Sequence, residues 1–194
     1  MAMPVHSRDM ATDVGDVVVD GLVDDIEAVR AVQAGDLSAF ARLYSTHWSM
    51  VHGIVLSRAR TVEVADIAQD VFVAALSRIG ELRDPAAFGG WLATMARHAS
   101  VDAMRRRRPT IAVSDDVRVD VPPPRLEALA VLQAIRELPP AYCETLVLRL
   151  VEGMTGPEIA LRTGMTAGSV RVNLHRGMKL LRARLGVQEG ERDA

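Results

Sequence analysis

The chain has a single cysteine, Cys143, among its 194 residues. That excludes an internal disulfide and any metal site built from clustered cysteines. Cys143 sits among apolar residues and is expected to be a small buried side chain. Aromatic residues are also scarce, 4% against 49% hydrophobic residues in all. The apolar volume therefore comes mainly from Ala, Val and Leu, which with abundant Arg favours helix over sheet. No apolar run is long enough to span a membrane, and the opening stretch MAMPVHSRDMATDVGD is too acidic and polar for a signal peptide. A cytoplasmic protein with no membrane partner is expected. The five histidines are scattered. Metal-ligand spacing, a phosphate-cradling glycine loop and a nucleophile–base pair are all lacking, so no catalytic residue, cofactor or metal is expected, and an enzyme is the weakest reading.

Acidic excess is slight, a net charge of −2, and would by itself argue against a nucleic-acid partner. The distribution reverses this. Before Arg30 the acids are Asp9, Asp13, Asp16, Asp20, Asp24, Asp25 and Glu27, against Arg8 alone. Between Ile159 and Gln188 the charges are Arg162, Arg171, Arg176, Lys179, Arg182 and Arg184, with no acid. Asymmetry between the ends carries more information than the total.

The stretch FGGWLATMARHASVDAMRRRR, residues 88–108, reads as one helix. Asp84-Pro85 starts it, and Phe88, Trp91, Leu92, Met95, Ala96, Ala99 and Ala103 recur at three- and four-residue steps. Arg97, His98, Ser100 and Asp102 fall mostly off that stripe. The helix ends in Arg105 to Arg108 before Pro109. An apolar stripe with a cationic end suits a helix lying on a phosphate backbone; a core helix with a solvated basic end is the plainer alternative. Residues 1–23 are read as a mostly disordered acidic tail able to fold over basic surfaces. Helical spacing begins near Asp24 and runs, with a break at Gly35-Asp36, to about Arg60. A further helix spans 61–79, with Val64, Ile67, Ala68, Val71, Phe72, Ala75 and Leu76 inward and Asp66, Gln69, Asp70 and Val73 towards the other side.

Residues 110–124, TIAVSDDVRVDVPPP, lose periodicity and form a linker. Helices resume at 126–138 and 141–152, the second with Leu146, Val147, Leu150 and Val151 inward. Thr155-Gly-Pro-Glu158 is a capping box; it opens a short helix. Gly164 suits a left-handed end, and Thr166 caps a longer helix over 167–185. A short helix, a glycine turn and a longer basic helix form the helix-turn-helix pattern.

On these motifs the chain resembles the extracytoplasmic-function (ECF) type of RNA polymerase sigma factor, of the sigma-70 family. DIAQDVFVAAL (66–76) is similar to the family's core-binding motif, FGGWLATMARHASVDAMRRRRP to its promoter-melting and −10-reading helix, and the stretch from Leu138 to Leu185 to its −35-binding helix-turn-helix. The resemblance covers about 26–185. It implies an all-α fold of two small helical domains, a region 2 domain over 26–108 and a region 4 domain over 125–186 joined by a linker over 109–124; the acidic tail over 1–25 and a tail over 187–194 lie outside the match. It implies a non-catalytic initiation factor whose partners are core RNA polymerase, through the β′ clamp helices and β flap, and promoter DNA, with an anti-sigma factor as a further candidate. Asp66, Gln69, Asp70 and Val73 would meet the polymerase. Loop 80–87 would receive a flipped base of the non-template strand. Arg97, His98, Arg105 and Arg106 would hold the −10 element, and Ser169, Arg171, Asn173, His175, Arg176 and Lys179 the −35 element. For linker acids Asp115, Asp116 and Asp120 two readings stand side by side, mimicry of nucleic acid inside the polymerase channel and a simple solubilising role. The chain departs from the pattern at His98, where Asn is common, and at Gly89-Gly90, which are expected to loosen the start of the helix. A stand-alone helix-turn-helix regulator, with its N-terminal half for dimerisation, is the alternative.

Overall fold

The computed structural model describes residues 10–59, 63–106 and 123–186, and for 10–20 and 123–126 the backbone alone. Eight α-helices follow in order: α1 Met10–Gln33, α2 Phe40–Leu56, α3 Val64–Arg78, α4 Phe88–Arg106, α5 Pro123–Arg136, α6 Pro140–Leu150, α7 Gly156–Thr163 and α8 Ala167–Arg184. No strand occurs among the described residues. Helices α1–α4 form one helical unit and α5–α8 a second, with α2 packed on α6 and α4 on α7 across the join. Most of the expected linker, 109–122, lies outside the described residues, as do Asp115, Asp116, Asp120 and the tail 187–194.

Each element follows from its local chemistry. The Asp36 carboxylate accepts the Ser38 N–H at 3.0 Å and starts a 3-10 turn that runs into α2. Asp84 does the same for Ala86, also at 3.0 Å, ahead of α4. Thr155 and Glu158 form the reciprocal capping box of α7, Gly164 closes α7 at φ 72°, and the Thr166 hydroxyl caps α8 through the Ser169 N–H at 3.1 Å. The Thr155 N–H donates to the Glu158 carboxylate at 2.8 Å. This hydrogen bond, the largest influence on the group, holds its carboxyl below the usual glutamate range. A lowered folded-state pKa contributes stability above the unfolded value, lost as pH falls through the folded one. The melting-temperature gap between wild type and Glu158→Gln is therefore expected to narrow as pH falls from about 6 through the ordinary carboxylate range near about 4.3. A constant gap down to acid pH would refute it.

The core runs through both units. Leu43, Met50, Ile54, Phe88 and Leu92 are fully buried in the first, Leu146, Leu148 and Ile159 in the second. Cys143 is 3% exposed and donates its S–H to the Ser57 carbonyl across the join at 3.3 Å; burial pushes the thiol up to about 11.

Several expectations are corrected. Helix α1 begins at Met10, not near Asp24. Val14, Val17, Val18, Leu22, Ile26 and Val29 already keep helical spacing, and a helix nucleated on the core extends backwards along them at little cost. Leu150 and Val151 are exposed, 47% and 49%, because α6 turns its middle rather than its end to the join. Leu76 at the rim of α3 is 36% exposed, and Ser100 is fully buried, its hydroxyl donating to the Ala96 carbonyl at 2.7 Å. The glycines at the start of α4 have a packing role that their helix propensity does not reveal. A Cβ on Gly89 would stand 2.6 Å from the Arg162 carbonyl oxygen, and one on Gly90 3.5 Å from the Gly164 Cα. They let α4 cross α7 and its turn at backbone distance.

Candidate nucleic-acid interface

Three surfaces carry the residues singled out from the sequence. On α3, the core-facing positions Val64, Ala68, Val71, Phe72 and Ala75 are buried. Asp66, Gln69, Asp70 and Val73, spaced three and four apart, share the opposite face and are all exposed, Val73 to 62%. A row of acidic and amide groups beside a bare valine gives a partner both charge to pair with and apolar area to cover.

On α4 the expected residues separate. His98, Arg105 and Arg106 are exposed, the two arginines in the last turn, where cations suit the helix dipole. Arg107 and Arg108 lie outside the described residues. Arg97 is half-buried and bound. Its Nη2 donates to Glu144 Oε1 at 2.7 Å, and its Nε lies 3.2 Å from Oε1 and 3.1 Å from Oε2. Arg58 Nη1 reaches the other oxygen of the same carboxylate at 2.7 Å. Trp91 is half-buried against the core, its ring 6.0 Å from Phe88. The loop before α4 is tied down by Gln33, whose side-chain amide donates to the carbonyls of Ile79 at 2.9 Å and Leu82 at 2.8 Å.

In the second unit, Val170, Gly177 and Leu181 of α8 are buried and fix its orientation. At about 100° per residue the outward arc carries two rows, Ser169, Asn173 and Arg176 on one side and Arg171, His175 and Lys179 on the other. All are exposed except Asn173, which is half-buried. Ser169 also engages the cap, its hydroxyl 2.8 Å from that of Thr166. Arg149, His175, Lys179 and Arg182 border one open cleft between α6 and α8.

Sequence reasoning missed Arg58, Glu144, Gln33 and Arg149. Glu144 left a readable trace: it precedes Val147 and Leu148 by three and four positions, so it lies on the buried side of α6. An acid on such a face needs a cationic partner. The partner's identity depends on the other unit and is not visible in α6. Among the described residues no group of acids, histidines and cysteines could hold a metal ion, and no helix is long and apolar enough to cross a membrane.

Two family models match, Sigma-70 region 2 over residues 43–110 and Sigma-70, region 4 over residues 128–181. The chain is 31% identical over 167 residues to RNA polymerase sigma factor CarQ of Myxococcus xanthus, an alignment covering 81% of this chain and 95% of CarQ. It is likewise 31% identical over 171 residues to ECF RNA polymerase sigma factor BldN of Streptomyces coelicolor, covering 80% of this chain but only 64% of BldN. The fold is similar to CnrH in its complex with the cytosolic domain of CnrY, with TM-score 0.61 and 25% identity over 86% of this chain and 99% of that one.

Proposed function

Since the chain belongs to the ECF-type sigma factors of the sigma-70 family, we propose that it joins core RNA polymerase, brings it to promoters and assists melting, while the polymerase supplies all the chemistry. The observation that carries this is the presence of both sigma regions on one chain, in order, the second built on a fully capped helix-turn-helix. In this reading the face of Asp66, Gln69, Asp70 and Val73 meets the β′ clamp helices, and the second unit meets the β flap. The end of α4, with His98, Arg105 and Arg106, and Arg97 once released, holds the −10 element. The loop pinned by Gln33 receives an unstacked base. Helix α8 enters the major groove at −35. Only one of its two rows can face the base edges while the other follows phosphates. A protein partner that restrains it, as the cytosolic domain of CnrY is found with CnrH, fits the same reading.

Run-off transcription with core polymerase on promoter fragments tests the proposal. Initiation that depends on this chain supports it, and failure to co-elute with core enzyme refutes it in favour of a stand-alone regulator. Within it, Arg176→Ala and Lys179→Ala are each expected to weaken binding of −35 DNA across sequences and to reduce the slope of log affinity against log salt by about 0.9, one phosphate contact. A changed preference at a single base pair would reassign that residue to base reading, and no effect on −35-dependent templates would displace α8 from the groove.

A further inference from the structure

Glu144 is buried to 4% side-chain exposure, yet both of its oxygens are occupied by guanidinium groups from the first unit. Arg97 comes from the middle of α4 and Arg58 from just beyond the end of α2, and one carboxylate bridges them. The contact is not a loose collapse. Around it the Arg162 side chain donates to the Thr46 carbonyl at 2.9 Å, Arg136 to the Leu56 carbonyl at 2.8 Å, and His52 Nδ1 lies 2.7 Å from Glu152. The backbone crossing at Gly89 is closer than any other residue would permit.

Two guanidiniums converging on one oxyanion form a geometry that carboxylate and phosphate satisfy alike. Arg97 lies one residue before His98, on the helix that ends in Arg105 and Arg106. Arg58 has no place in the reading of either DNA element. We infer that Arg58 and Arg97 form a single phosphodiester-binding site on the first unit, and that Glu144 is its internal occupant while the two units are packed together. This rests on the proposed promoter-binding role of α4. The site holds one anion at a time, so a promoter-strand phosphate and the closed packing of α6 exclude one another. Separation of the units frees both arginines at once.

The experiment uses the full chain without polymerase and a labelled single-stranded oligodeoxynucleotide, read by fluorescence anisotropy across a salt series. Small-angle scattering reports whether the units have parted. Glu144→Gln keeps the side-chain shape and removes the charge that holds the arginines. It is expected to expand the chain and tighten oligonucleotide binding by about 10-fold, with a salt slope steeper by roughly 0.7 for each phosphate gained. Gly89→Val parts the units by a different route, the clash with the Arg162 carbonyl, and is expected to give the same gain. Adding Arg58→Ala to Glu144→Gln is expected to remove most of it. Wild-type affinity in both opened variants, or a gain that survives loss of Arg58, would overturn the inference. Because this readout needs no polymerase, its failure is distinct from failure of the wild-type protein to support initiation.

Discussion

Asp66→Arg combined with Gln69→Ala is expected to abolish binding to core RNA polymerase, and with it all chain-dependent initiation, while leaving the fold intact. Both side chains are exposed on the outer face of α3. Substitutions at such sites usually change stability by no more than about 0.5 kcal/mol. Asp66 lies in the first turn of α3, so arginine there adds a dipole penalty of about 0.3–1 kcal/mol, still small for the domain. In the proposed interface the same change would set a cation against a basic partner surface, and like-charge juxtaposition across an interface costs several kcal/mol. Co-elution with core enzyme and a thermal melt, measured on the same preparation, separate the two effects. Retained co-elution would move the polymerase contact off this face. Loss of co-elution together with a melting temperature lowered by more than a few degrees would mean that the fold, not the interface, had been hit.

The second large effect is on stability. Phe88 is fully buried at the start of α4, its ring 5.2 Å from that of His47 in an edge-on arrangement and 6.0 Å from Trp91. His47 is itself buried, with Nε2 2.8 Å from Asp25 on α1. Phe88 therefore packs where α1, α2 and α4 converge. Phe88→Ala is expected to cost about 3–5 kcal/mol, the transfer term plus an unfilled cavity, and to lower the melting temperature by roughly 10 °C at about 2–4 °C per kcal/mol. Denaturant unfolding checks it; a loss below about 1 kcal/mol would mean that the site collapses around the smaller side chain.

What the sequence made legible was whatever a helix declares about itself. The capping box at Thr155 and Glu158, the left-handed Gly164, the apolar stripe of α4 and the turn before α8 are local chemistry, and each stands where its spacing placed it. The face of α3 was legible for the same reason. What escaped is what one unit requires of the other. Gly89 and Gly90 look like weak helix formers until Arg162 and Gly164 are set against them. Glu144 looks misplaced until Arg58 and Arg97 arrive. Arg97 looked like a free DNA ligand because the pattern of α4 carries no record of α6. In α1 the helical spacing of Val14, Val17, Val18 and Leu22 is present but masked by the interleaved Asp13, Asp16 and Asp20.

Cys143 turns this packing into something measurable. Its thiol lies inside the join, bonded to a carbonyl of the other unit and held protonated far above neutral pH. Only the thiolate reacts with a disulfide reagent, so burial in the closed chain is expected to slow the reaction and separation of the units to speed it. Under the separation inferred above, the only cysteine in the sequence reports on the join: its labelling rate by such a reagent in the native protein is expected to follow how often the two units part, with no residue changed.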